Sequence, residues 1–198
     1  MRLFVGVAAL LLATACVSEP TLRWSADTTN ARGWSDVRAA WTRKGALWDA
    51  FEGRVFAQAI PLAPPLVAAW EKDRALRQRT PSSASTEPGR SLALAVSPGT
   101  LVVFAAITPQ DQRWADTREG SLEFFLVQPD GVRPALSAQR LSEDELSDLR
   151  PWLPMFDALA SGFRLVFEVP PDVTRAGVSL RVVAPPGAVD LKWRMSAP

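Results

Sequence analysis

The chain has 198 residues, with 22 Lys and Arg against 21 Asp and Glu, so no net field draws it to nucleic acid or to acidic substrates. It contains no His, no Tyr and a single Cys. Ser-His-Asp and Cys-His nucleophile systems, His-based zinc sites and Cys clusters all need residues that are absent, and a disulfide within the chain cannot form.

Residues 1–16 read MRLFVGVAALLLATAC. Arg2 gives a positive start, residues 3–12 an apolar run too short to span a bilayer, and Ala13, Thr14 and Ala15 the small residues a peptidase needs before Cys16. The stretch resembles the signal of bacterial lipoproteins, with Ala13 where that pattern prefers Leu. The resemblance implies cleavage after Ala15, a diacylglycerol thioether on Cys16 and an acyl chain on its amino group. At about 0.8 kcal/mol per buried methylene, one chain is marginal and two or three hold firmly. Val17, where such lipoproteins carry Asp for inner-membrane retention, implies sorting to the outer membrane. The alternative is a generic secretory signal that leaves Cys16 unmodified.

Residues 16–33 form the lipidated N-terminus and its tether, polar and without sustained period. Fully extended at about 3.3 Å per residue, the tether reaches roughly 50 Å from the bilayer. Trp24 and Trp34 are expected to dock on the domain or to rest at the lipid interface.

Residues 34–198 are read as one domain. Val37, Ala39 and Trp41 alternate with polar or small neighbours, as do Val55, Ala57 and Ala59, which predicts two strands joined through Lys44 and Gly45. After the Pro61–Pro65 cluster, residues 66–79 hold helix formers without a breaker. The expected buried stripe is Leu66, Val67, Trp70 and Leu76, with Asp73 and Arg77 spaced to pair. Residues 80–90 form a Ser/Pro/Gly loop.

Strands are predicted at 92–96 and 101–107 around Ser97-Pro98-Gly99, and at 122–127 before the tight-turn sequence Pro129-Asp130-Gly131. Ser142 and Glu145 have capping-box spacing, so residues 143–149 are expected to be a short helix. Trp152, Pro154 and Phe156 follow as an apolar loop. Phe163, Leu165, Phe167 and Val169, then Val178, Leu180 and Val182, then Val189, Leu191 and Trp193 mark three closing strands. Short alternating strands at this spacing predict a mainly β chain, an antiparallel β-sandwich of immunoglobulin-like or jelly-roll-like type with one or two short helices. A Trp- and Phe-rich sandwich behind such a signal is also similar to uncharacterised envelope lipoproteins, a likeness that implies no activity.

Eight Trp invite a sugar-stacking reading, but Trp41, Trp70 and Trp193 fall in phase with apolar neighbours and are expected in the core. Trp114 is the best placed to be an exposed ring. The acids Glu143, Asp144, Glu145 and Asp148 lack calcium-loop spacing and suit a helix N-terminus instead. Asp111, Arg113, Trp114 and Arg118 lie in a polar loop, residues 108–119. That loop is read as an interaction loop, since Arg and Trp are common interface anchors.

The functional expectation is a non-catalytic binding or assembly module. Lipid on Cys16 holds it to a membrane of the cell envelope, and it engages another envelope protein without cofactor, metal or nucleic acid. One alternative is an enzyme or binding protein for glycans that works through carboxylates, needing two acids about 5–10 Å apart in a Trp-lined cleft. Another is a carrier of an apolar ligand, needing a cavity inside the sandwich.

Overall fold

The computed structural model describes residues 33–49, 52–78, 99–115, 117, 121–169 and 177–193. Ala15, Cys16, Arg118, the Arg77 side chain and the strand expected at 92–96 lie outside them.

The protein is mainly β, with nine strands among the described residues in two antiparallel sheets. In chain order the elements are α1 (Trp34–Trp41), β1 (Arg43–Asp49), β2 (Glu52–Pro61), α2 (Pro64–Gln78), β3 (Thr100–Pro109) and a 3₁₀ turn (Gln112–Ala115). Then follow β4 (Glu123–Gln128), β5 (Gly131–Pro134), β6 (Ser137–Arg140), α3 (Glu143–Leu149), β7 (Ser161–Glu168), β8 (Val178–Ala184) and β9 (Gly187–Trp193). The five-stranded sheet runs β1-β2-β3-β7-β6 and the four-stranded sheet β5-β4-β8-β9. Setting β1 aside, β2-β3-β7-β6 and β4-β8-β9 reproduce the A-B-E-D and C-F-G orders of an immunoglobulin-type sandwich. The segment holding β5 and β6 passes from one sheet to the other. Ala135 N–H donates to the Phe124 carbonyl at 3.1 Å and Leu136 N–H to that of Val166 at 2.8 Å.

The sheets share one core, in which Phe124 of β4 meets Phe163 of β7 with ring centroids 5.2 Å apart. The closing strands alternate as their sequence implies: Phe163, Leu165, Phe167, Val178, Leu180, Val182, Leu191 and Trp193 are all buried. Residues 101–107 are buried throughout, because β3 has the second sheet on one face and, on the other, α3 and the apolar loop after it. Phe104 points to the helical side and meets Phe156 at 6.1 Å. The tight turn before β5 has Gly131 at φ +149°, a backbone conformation that favours glycine.

The helix α1 replaces the strand expected around Val37, Ala39 and Trp41. Trp34 and Trp41 are buried and Val37 is packed against the core. That spacing, i, i+3 and i+7, is a helical stripe in which period two was only apparent. Lys44 and Gly45, expected in a turn, lie inside β1, paired with Gln58 and Ala57. Among the described residues a third α-helix is therefore present where one or two were expected. In α2, Leu66 and Trp70 are buried and Val67 is partly buried, but Leu76 is 55 % exposed and leaves the expected stripe. The capping box of α3 is complete: Glu145 N–H donates to Ser142 Oγ at 3.3 Å and Ser142 N–H to Glu145 Oε2 at 2.8 Å.

Candidate functional site

Antiparallel register brings the end of β1, the start of β2, the ends of β3 and β6 and the start of β7 to one end of the domain. The β8–β9 turn joins them, since Gly187 faces Leu47, and with it comes the start of β4. The predicted interaction loop is the β3–β4 connection at this end, the position of the B–C loop in immunoglobulin-type domains.

Arg54 fixes the loop to the β1–β2 hairpin. Its Nη1 donates to Gln110 Oε1 at 2.7 Å, its carbonyl accepts from Gln110 N–H at 2.8 Å, and its guanidinium bridges Asp49 at 3.1 Å and Glu52 at 3.0 Å. Asp111 then turns the chain, accepting from Arg113 N–H at 3.0 Å and from Arg113 Nε at 3.0 and 3.1 Å. The hydrogen bonds from Arg113 hold the Asp111 carboxyl below the usual carboxylate range. The Arg113 side chain is 86 % exposed, so the ion pair stands out as a planar, solvent-facing group.

Trp114 differs from its expected role. It is partly buried and packed against the core, because the 3₁₀ turn rolls its ring inward while Arg113 faces out. Among the described residues the exposed Trp is Trp48, at 62 %, which meets Phe56 edge-on at 5.9 Å. The alternation expected of a strand around Phe56 already placed that ring on the polar face. Nothing in the sequence around Trp48 set it apart. Trp34 docks as one of its two expected alternatives, and Trp41, Trp70 and Trp193 are core residues.

Between the loop, α3 and the start of β7 lies an open groove of about 400 Å³, lined by Gln112, Arg140, Glu143, Leu159 and Ser161 among others. Arg140 Nη2 donates to Ser161 Oγ at 3.1 Å, and Glu143 pairs with Arg150 at 2.6 Å. Leu159 is 71 % exposed on the rim. Gly162 leaves room on the floor: a Cβ there would come within 2.5 Å of Leu146 Cδ2. The groove presents one cation, one carboxylate, two neutral polar groups and apolar rim atoms, a mixture suited to binding. Ser161 has no base beside it in this lining, and Glu143 is its one carboxylate, so the pair of acids for glycoside hydrolysis is not assembled there.

The acids of α3 act locally. Glu143, Asp144 and Glu145 occupy its first turn, at the positive end of the helix dipole, and among the described residues no three acidic, His or Cys side chains converge as a metal site. The core between the sheets is filled by aromatic and branched side chains. A cavity under α2, lined by Trp34, Leu62, Leu66, Val67, Trp70 and Leu153, holds about 10 Å³, too little for an apolar ligand. Among the described residues no helix is long and apolar enough to cross a membrane. Comparison with models of known families, with curated proteins and with solved structures finds no match.

Proposed function

We propose that the chain is a lipid-anchored cell-envelope protein whose β-domain is a non-catalytic binding module for another envelope protein, sorted to the outer membrane. The observation that carries this reading is the end where the β1–β2 hairpin, the Gln110–Ala115 loop and the β6–β7 connection converge around the groove of about 400 Å³. Its lining combines Arg140, Gln112 and exposed Leu159, beside the outward guanidinium of Arg113. Arg and apolar anchors over a rigid sheet scaffold are the usual make-up of a protein-binding loop surface. The anchor half of the reading rests on the sequence of residues 1–16 and its resemblance to lipoprotein signals.

The test places a photo-crosslinking residue at Leu159 or Gln112 in cells, with Asp130 as control. Asp130 sits in the β4–β5 turn at the opposite end of the domain. The reading expects one discrete adduct from Leu159 and Gln112 and none from Asp130. Equal labelling at all three positions, or none anywhere, contradicts it.

A further inference from the structure

The edge of a sheet presents backbone donors and acceptors that a strand from another chain can take up. Among the described residues the edge strands are β1 and β6 in one sheet and β5 and β9 in the other. On one side of the domain β1 and β9 close against each other: a Cβ on Gly45 would come within 2.6 Å of Val189 Cγ2, and Arg43 Nε donates to the Lys192 carbonyl at 2.9 Å. On the other side β5 is blunted. Ala135 N–H donates to the Phe124 carbonyl, so by alternation Val132 and Pro134 turn their backbone groups away from β4, and Pro134 has no N–H to offer.

The remaining edge, β6, carries no such block. Leu141 N–H donates to the Gly162 carbonyl at 2.9 Å, so by the same alternation Ala138 and Arg140 direct their N–H and C=O groups away from β7. Ser137, Gln139 and Arg140 are exposed, and no described strand pairs on the far side of β6. Arg140 and Leu141, at the end of this edge, line the groove of about 400 Å³, so a strand laid along β6 runs on to it. There Arg140 Nη2 donates to Ser161 Oγ at 3.1 Å, and its other guanidinium N–H groups have no partner among the described residues. The Ser161 hydroxyl, which accepts that bond, keeps its own proton to donate, and Gln112 adds an amide. Glu143, the carboxylate of the lining, is held by Arg150 at 2.6 Å. The groove therefore gathers hydrogen-bond donors around a guanidinium, an arrangement that a carboxylate satisfies best.

We propose that the envelope partner adds an extended segment to β6 as a further strand of the five-stranded sheet and sets an Asp or Glu side chain against Arg140 at the groove. The inference rests on the binding-module reading and names the mode by which that surface binds. A second copy of this chain fits the edge poorly. A strand of 4 residues paired with itself buries far less than the roughly 1,200 Å² total of a stable dimer and leaves the groove empty. A longer segment gains backbone hydrogen bonds from Ala138 and Arg140 and specificity from the side chain in the groove.

The experiment uses the full chain in its native cells, with the photo-crosslinking residue at Leu159, and compares adduct yield across three further substitutions. Ala138→Pro removes an outward donor and leaves the hydrogen bonds to β7 in place. Val132→Pro makes the same change on the β5 edge, and Arg140→Gln removes the guanidinium without touching the backbone. The proposal expects the yield to fall about tenfold in Ala138→Pro and in Arg140→Gln and to stay at the wild-type level in Val132→Pro. Thermal unfolding of each purified variant checks the fold, and where Ala138→Pro does not accumulate, Arg140→Gln decides. Full adduct yield from a folded Ala138→Pro or from Arg140→Gln overturns the proposal and leaves the groove as a binding surface of another mode. Equal loss in Val132→Pro overturns it as well. Absence of any adduct from the wild-type chain overturns the binding-module reading itself.

Discussion

Trp193 Nε1 donates a 2.7 Å hydrogen bond to the carbonyl of Trp41, 152 residues earlier, inside the buried seam where α1 leads into β1 beside β9. Arg43 reinforces the seam, its Nε reaching the Lys192 carbonyl at 2.9 Å and its Nη1 that of Ala40 at 2.7 Å. The last described strand thus closes the domain onto the first helix. Trp193→Phe keeps most of the ring but strands a buried carbonyl, for an expected loss of about 1–3 kcal/mol. Trp193→Ala adds a cavity and is expected to cost about 3–5 kcal/mol. Urea unfolding checks both, and equal midpoints for wild type and Trp193→Phe would show that the bond contributes nothing.

Close approach of the two sheets depends on Gly45. A Cβ at that position would lie 2.6 Å from Val189 Cγ2 and 2.9 Å from Leu191 Cδ2. Gly45→Ala is therefore expected to push β1 away from β9 and to destabilise the domain by about 1–3 kcal/mol. Thermal unfolding of Gly45→Ala and Gly45→Ala/Val189→Ala separates the cause. Partial recovery in the double variant is the expected result.

The capping box predicts that Ser142→Ala costs about 0.5–2 kcal/mol, because Glu145 N–H loses its acceptor and the reciprocal bond from Ser142 N–H loses its support. Hydrogen exchange at residues 143–146 should quicken more than exchange in β8. A uniform change across the domain would argue against a local cap.

Asp190 of β9 accepts from Arg181 Nε at 2.8 Å and Nη2 at 2.9 Å across the strand pair. Those bonds hold the Asp190 carboxyl below its ordinary value. A carboxyl depressed in the folded state contributes stability above its unfolded value, near pH 4, and loses it as pH falls through the folded value. Unfolding free energy in Asp190→Asn should thus fall less steeply below about pH 4 than in wild type. An unchanged slope would show that the pair is screened.

The closing strands were legible because Phe163, Leu165 and Phe167 alternate with residues facing water, a pattern that burial on one sheet face imposes directly. Ser142 and Glu145 were legible for a similarly local reason. In contrast, β1 (Arg43–Asp49) has no fully buried side chain, and its strand state comes from pairing with β2 rather than from its own pattern. The short β5 and β6 are equally exposed and are held by partners in two different sheets. Part of the candidate site could be read and part could not. Asp111 and Arg113 lie where the loop was expected, and Arg113 faces solvent. The groove beside them unites Gln112 with Arg140 and Ser161 across tertiary contacts that no spacing encodes, and the same holds for the direction in which Trp114 turns.

The measurement that bears most directly on a membrane-held binding module is proteomics on cross-linked, affinity-purified protein from native cells, comparing wild type with Cys16→Ser. The account predicts a stoichiometric envelope protein with the wild type, a mature chain that begins at an acylated Cys16, and loss of that partner from Cys16→Ser. An unmodified Cys16 in the wild-type chain, with no protein specifically enriched, would contradict it.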